Sequence, residues 1–317
     1  MGSSPLQIPN LPMPARSGRE AATPETPLMD MLQAIAIAIL QGATELFPVS
    51  SLGHAVVLPA VLGWGVDQKS DQFLPFLVLL HTGTALALLG YFWRDWLALG
   101  LGVLGLGGDS QRVRDARRMT MLIVIATIPA VIVGYSLRKV LGGLFAAPVA
   151  AAGFLVVNGF LLLFGERLRR GVPATATVGA AAATKTLPDM TAADALAIGV
   201  WQCGALLPGI SRAGATMVGG LLRGLNHEDS AHFSFLIALP IIVGATVLEV
   251  PHLLHASVAP GVFTQAAVAA VAAGLTALLT TWFLMRYFRN NDRWALSPFA
   301  YYCIVVGLGC VAYLGLR

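Results

Sequence analysis

Two short stretches carry most of the residues able to do chemistry. The first, 41–54, holds Gln41, Glu45, Ser50, Ser51 and His54 around Pro48. The second, 207–216, holds Ser211, Arg212 and Thr216 with Gly209 and Gly214, just after Pro208. Gln41 and Glu45 are four positions apart, so a helix places them on one face. A carboxylate there can hold a hard cation such as Mg²⁺ and leave positions for water and phosphate oxygens. The plainer alternative is an ion pair with an arginine. Ser50 and Ser51 suit a helix N-cap, and the same unpaired backbone N–H groups make an anion site. A hydroxyl with His54 close by also suits an activated nucleophile, with the imidazole as acid, base or nucleophile. Arg212 points to the substrate class, because a guanidinium is permanently charged and matches phosphate bidentately. Gly209 and Gly214 admit close backbone approach to an anion, and Ser211 and Thr216 add donors. A pair between Arg212 and Glu45 is compatible with both groups bracketing one phosphate.

The elements that must position these groups are apolar. Of 317 residues, 56% are hydrophobic and 11% charged, against roughly 25% charged in a soluble domain. The mean hydropathy is +0.75. This is the composition of a membrane protein, and a single integral domain over 29–317 is expected, behind a disordered, proline-rich tail over 1–28 with no secretory leader. The net charge of +4 does not indicate nucleic acid, since the arginines fall in short loops between apolar runs. Cys203, Cys303 and Cys310 lie in apolar segments without metal-ligand spacing and read as packing residues.

Six runs are long enough to span a bilayer: 73–92, 120–137, 147–164, 231–250, 263–287 and 298–316. Four others, 30–46, 54–64, 195–207 and 215–225, are too short, and each pair flanks one of the polar stretches. A short apolar helix, a Pro/Ser/Gly break and a second short helix predict a re-entrant hairpin. Ser50-Ser51-Leu52-Gly53 aligns with Ser211-Arg212-Ala213-Gly214, and Phe76–Leu80 aligns with Phe235–Leu239, at nearly the same offset. The fold class expected is therefore an all-α polytopic membrane protein with six transmembrane helices and two re-entrant hairpins. Its inverted-topology repeat has halves near 29–164 and 190–317.

Basic residues concentrate in 93–119, 165–194 and 286–297, which the positive-inside rule places in the cytoplasm. Other polar residues within the runs rank lower. His81, Thr82 and Thr84 face a cavity or bond their own helix, and Asn158 lines the cavity or bonds a neighbouring helix. The Gly-rich run 151–165 allows helix contacts, and with them a homodimer.

The two stretches together resemble the undecaprenyl-diphosphatase family, also called bacitracin-resistance proteins. Its first signature, Glu/Gln-x-x-x-Glu followed by Pro-x-Ser-Ser-x-Gly-His, is matched by Gln41, Glu45, Pro48, Ser50, Ser51, Gly53 and His54. Its second, Pro-Gly-x-Ser-Arg-Ser-Gly-x-Thr, is matched by Pro208, Gly209, Ser211, Arg212, Gly214 and Thr216, with Ala213 in place of the second serine. The resemblance covers roughly 29–316. It implies hydrolysis of the terminal phosphate of undecaprenyl diphosphate, giving the carrier lipid of cell-wall synthesis. It also implies an inner-membrane location with a site open to the periplasm, and a divalent cation, Mg²⁺ or another such as Ca²⁺. By position, Glu45 would hold the metal with Gln41 in support. Ser50, Ser51 or His54 would supply the nucleophile or base, and Arg212 would clamp the diphosphate with Ser211, Gly214 and Thr216. A rival reading is a lipid-phosphate flippase, because broken helices around a midplane anion site also build transporters. A transporter needs no nucleophile, so the Ser50, Ser51 and His54 cluster discriminates the two.

Overall fold

The computed structural model describes residues 29–66, 68, 73–106, 110–144, 147–170, 185–255, 262–291 and 293–316. The tail expected over 1–28 lies outside them. Among the described residues the chain is all-helical. Its eleven helices are α1 (Met31–Thr44), α2 (Ser51–Leu62), α3 (Phe73–Tyr91), α4 (Trp93–Val103), α5 (Gln111–Leu144), α6 (Pro148–Arg170), α7 (Ala192–Gly204), α8 (Arg212–Leu222), α9 (His227–His255), α10 (Val262–Asn290) and α11 (Ser297–Gly315).

Local sequence sets the ends of the short helices. At the start of α1 the Asp30 side chain accepts from the Gln33 N–H at 2.8 Å, and Gln33 Oε1 accepts from the Asp30 N–H. This reciprocal cap satisfies two donors that a helix start leaves open. After Glu45 the chain meets Pro48, which has no N–H to continue a helix. Ser50 then turns the chain with a positive φ of 70° and caps α2, its hydroxyl oxygen accepting from the Gly53 N–H. Ser211 caps α8 in the same way, accepting from the Gly214 N–H at 3.1 Å. Between α7 and α8, Gly209 takes a φ of +109°, and a methyl group there would lie 2.2 Å from the Ala151 carbonyl oxygen. The turn therefore needs glycine twice over, for its backbone angle and for its contact with α6.

The helices pack in exchanged pairs. α1 lies on α10 and α7 on α5, α2 touches α11 while α8 touches α6, and α3 meets α9 as α6 meets α11. Two of these contacts are close because glycine leaves room. A methyl at Gly42 would sit 2.2 Å from the Ala273 oxygen on α10, and one at Gly199 would sit 2.5 Å from the Ala126 oxygen on α5.

Among the described residues, five helices are long and apolar enough to cross a membrane, at Gln111–Leu137, Pro148–Leu168, His227–Leu248, Phe263–Asn290 and Ser297–Gly315. The run expected at 73–92 forms α3, which bends by 81° into α4 and makes a sixth span if the pair is counted as one. The long loop expected over 93–119 is instead largely helical. α4 fills its first part and α5 begins at Gln111, because basic side chains end a hydropathy run without ending a helix. The glycines of 151–165 serve the fold itself: Gly159 packs on Ala300 and Ile304 of α11, and Gly165 on Val218 of α8. Gly153 is left open among the described glycines of that run.

Candidate active site

The two helix breaks meet across α6. Asn158 of α6 donates from Nδ2 to the Pro48 carbonyl at 2.8 Å, and its Oδ1 accepts from the Ser211 N–H at 3.0 Å. One fully buried amide thus ties both polar stretches to one helix. Direct contact reinforces it, since a methyl at Gly53 would lie 2.8 Å from the Gly209 Cα.

Glu45 is the centre of the assembled site. Its Oε2 accepts from Gln41 Nε2 at 3.0 Å and from the Ser51 hydroxyl at 2.5 Å, and His81 Nε2 approaches it at 3.2 Å. Its Oε1 accepts from Arg212 at 3.1 Å. Arg212 divides its fork, the second guanidinium nitrogen donating to the Ser234 carbonyl on α9. Four helices therefore converge on one carboxylate at the end of α1. The cluster opens into a cavity of about 200 Å³, whose polar wall is Glu45, Ser50, Ser51, His81, Ser211 and Arg212. Val78 of α3 and Ile241, Ile242 and Ala245 of α9 contribute apolar surface to it. A buried carboxylate and a partly buried guanidinium beside an apolar wall suit a charged headgroup on an apolar tail.

The residues singled out by sequence separate into two groups. Gln41, Glu45, Ser51 and Arg212 form one connected network, with Ser50 and Ser211 in the adjoining wall. His54 lies apart from it. Its Nδ1 meets the Ser50 carbonyl at 2.6 Å, and its Nε2 meets the Tyr302 hydroxyl at 2.9 Å with the two rings stacked. Thr216 donates back to its own helix and pairs with the Ser234 hydroxyl at 2.6 Å. The Gly214 N–H is taken by the Ser211 cap. In the other direction, His81, which sequence placed only as one of several polar residues of its run, touches Glu45. Its signal was a histidine inside an apolar span, and nothing in the spacing distinguished it from Thr82 or Thr84.

The alignment of the two polar stretches extends upstream along the sequence. Gln202 stands 161 residues after Gln41, as Ser211 does after Ser50 and Arg212 after Ser51, while Leu206 stands where Glu45 does. The carboxylate is thus present in one of the two aligned stretches alone.

The donor set admits a hard cation. Gln41 Oε1 is buried without a hydrogen-bond partner, one turn before Glu45. An acceptor left open beside a carboxylate and a hydroxyl is an oxygen set of the kind Mg²⁺ takes, since that ion uses one or two carboxylates and completes its shell with water and phosphate oxygens. Among the described residues there is no group of three or more His, Cys, Asp or Glu able to hold a metal by themselves.

Away from the cavity, Asp194 caps α7 and is fully buried. Burial alone would raise its pKa, but hydrogen bonds from Lys185, Thr191 and Arg223 outweigh burial and hold the carboxyl well below the usual carboxylate range.

Comparison with known proteins decides the family. Residues 34–309 match the family described as bacitracin resistance protein BacA. The chain belongs to that family. It is similar to an undecaprenyl-diphosphatase of Granulibacter bethesdensis, 64% identical over 90% of this chain and 97% of that protein. Proteins of the same description from Acidiphilium cryptum and Gluconacetobacter diazotrophicus are each 54% identical, covering 88% and 90% of this chain and 96% and 98% of theirs. Membership in the BacA family and the run of long apolar helices make the chain an integral, multi-pass membrane protein.

Proposed function

We propose that this BacA-family chain is an undecaprenyl-diphosphatase, releasing the terminal phosphate of undecaprenyl diphosphate and leaving the monophosphate carrier lipid. The relatives' activity supports the substrate. The observation in this structure that carries the reaction is the 2.5 Å hydrogen bond from the Ser51 hydroxyl to Glu45 at the wall of a cavity that also presents Arg212. A hydroxyl held this closely by a carboxylate is set to lose its proton as it attacks. Lipid transport would need no such pair, so hydrolysis is the reading the geometry favours over a flippase.

Ser51 is the nucleophile in this reading. Its oxygen attacks the terminal phosphorus while its proton passes to Glu45, and the bond to the bridging oxygen breaks, leaving the monophosphate lipid and a phosphoserine. Water then attacks that phosphorus and gives one proton to solvent, the Ser51 oxygen leaves with the proton Glu45 held, and inorganic phosphate is freed. Arg212 neutralises charge on the phosphoryl oxygens, which is most of what phosphoryl transfer requires of a protein. Ser50 and Ser211 lie within reach of the same space. His54 sets the turn at Ser50 and does not take the proton. Gln41 and Glu45 would hold a divalent cation, Mg²⁺ or Ca²⁺, which supplies further charge neutralisation on the diphosphate.

The architecture behind this reading is six spans, counting α3 with α4, and two re-entrant hairpins, α1–α2 and α7–α8. The halves 29–164 and 190–317 form an inverted repeat. The exchanged packing supports it: swapping α1 with α7, α2 with α8 and α5 with α10 carries the contacts α1–α10 and α2–α11 into α7–α5 and α8–α6. Basic loops then lie in the cytoplasm, the protein lies in the inner membrane, and the cavity opens toward the periplasm with the lipid tail remaining among the helices.

The test is phosphate release from undecaprenyl diphosphate by purified protein in detergent, with Mg²⁺ and with EDTA. Metal-dependent release that Ser51→Ala and Glu45→Ala both abolish is expected. Lipid binding without release by folded wild-type protein would overturn the hydrolase reading. Full activity in Ser51→Ala would remove Ser51 as nucleophile.

A further inference from the structure

We propose that His81 is a positioning residue of the phosphatase site, holding the Glu45 carboxylate in the orientation from which it takes the Ser51 proton. The inference rests on the hydrolase reading above and deepens it. His81 is fixed at one end by its own helix: Nδ1 meets the Leu77 carbonyl at 2.7 Å, one turn back along α3. A carbonyl accepts, so Nδ1 donates here and Nε2 turns away from the helix; Nε2 donates to the Glu45 carboxylate as well when the ring carries both protons. Nε2 then points at Glu45 Oε2, 3.2 Å away. The ring also forms part of the cavity wall beside Ser51 and Arg212.

Geometry gives the contact a purpose. Glu45 lies at the C-terminal end of α1, and its carboxylate must keep Oε2 against the Ser51 hydroxyl for that proton to leave in one direction. Arg212 holds the other oxygen, and one hold on each oxygen leaves the plane of the carboxylate free to turn about the line that joins them. Gln41 and His81 approach Oε2 from different helices, α1 and α3. Together they fix the plane. Groups that orient a metal-binding or proton-accepting side chain through one hydrogen bond typically change activity about 10- to 100-fold when removed.

The asymmetry of the repeat points the same way. At the offset that matches Phe76 to Phe235, His81 falls opposite Pro240, and at the offset that matches Ser50 to Ser211, Glu45 falls opposite Leu206. The half that has the carboxylate has the imidazole, and the half that lacks one lacks the other.

Three substitutions separate positioning from packing. Glutamine places an N–H near where Nε2 lies, asparagine is too short to reach Glu45, and alanine removes the group. Phosphate release from undecaprenyl diphosphate is measured with the full chain in detergent at saturating Mg²⁺, with thermal denaturation midpoints alongside. His81→Ala and His81→Asn are expected to lower kcat about 10- to 100-fold with KM within threefold. His81→Gln is expected to recover to within a few-fold of wild type. If His81→Ala does not fold, His81→Gln against His81→Asn carries the comparison. Wild-type kcat in His81→Ala, equal losses in His81→Gln and His81→Asn, or a rise in KM at constant kcat would each overturn the positioning role. Wild-type protein that releases no phosphate would overturn the hydrolase reading and this role together. Active wild type with unimpaired His81 variants overturns this role alone.

Discussion

Ser51 and Arg212 grip opposite oxygens of the Glu45 carboxylate, Ser51 on Oε2 and Arg212 on Oε1. Each follows its capping serine by one position, so the two occupy equivalent places after the two helix breaks. A hydroxyl that follows one helix break and a guanidinium that follows the other thus meet at a single carboxylate.

The divided fork of Arg212 makes lysine a poor replacement. One nitrogen reaches Glu45 and the other the Ser234 carbonyl, and a single ammonium cannot span both. Arg212→Lys should lower kcat/KM at least about tenfold, and Arg212→Ala further, by about 10²- to 10³-fold, as loss of a phosphate-stabilising group does. Phosphate-release kinetics on both variants check the order.

Gln41 should set the metal requirement more than the rate. Gln41→Leu removes its open Oε1, and half-maximal activity should need more Mg²⁺. Gln41→Glu adds a second carboxylate and should lower that concentration. Titration of Mg²⁺ at fixed lipid distinguishes the two, and an unchanged midpoint in both would remove Gln41 from the cation site.

Asn158 holds the breaks together without lining the cavity. Asn158→Leu leaves the Pro48 carbonyl and the Ser211 N–H without this partner in a buried place. Each group left unpaired costs about 1–3 kcal/mol. The denaturation midpoint in detergent should fall by several degrees, with activity lost as Ser51 and Arg212 separate.

Asp194 gives the fold an acid limit. Its folded carboxyl is held below its unfolded value, so its contribution is complete above about pH 4 and is lost as pH falls through the folded value. Thermal stability should be insensitive to this group from pH 8 to 5 and decline below about pH 4. Asp194→Asn should be less stable at neutral pH and show a shallower acid decline. A decline as steep as that of wild type would assign the acid limit elsewhere.

Much of this molecule was written locally. Long apolar runs set α5, α6, α9, α10 and α11, because a bilayer leaves a backbone no other partner than itself. Pro48, Ser50, Pro208 and Ser211 marked both breaks, since caps and prolines act within a few residues. Gln41, Glu45, Ser51 and Arg212 could be named because charge in apolar sequence is costly and rare. Which of these groups touch was decided by packing. His54 and Ser51 are three residues apart and so share a face of α2, yet His54 turns to Tyr302 on α11 and Ser51 to Glu45 at the end of α1, because different helices meet that face at successive turns. His81 joined the site only when α3 was laid against α1, and Asn158 became its staple only when α6 passed between the breaks. Sequence spacing carries no record of such contacts, since they depend on how separate helices rotate and approach, and that is fixed by the whole bundle.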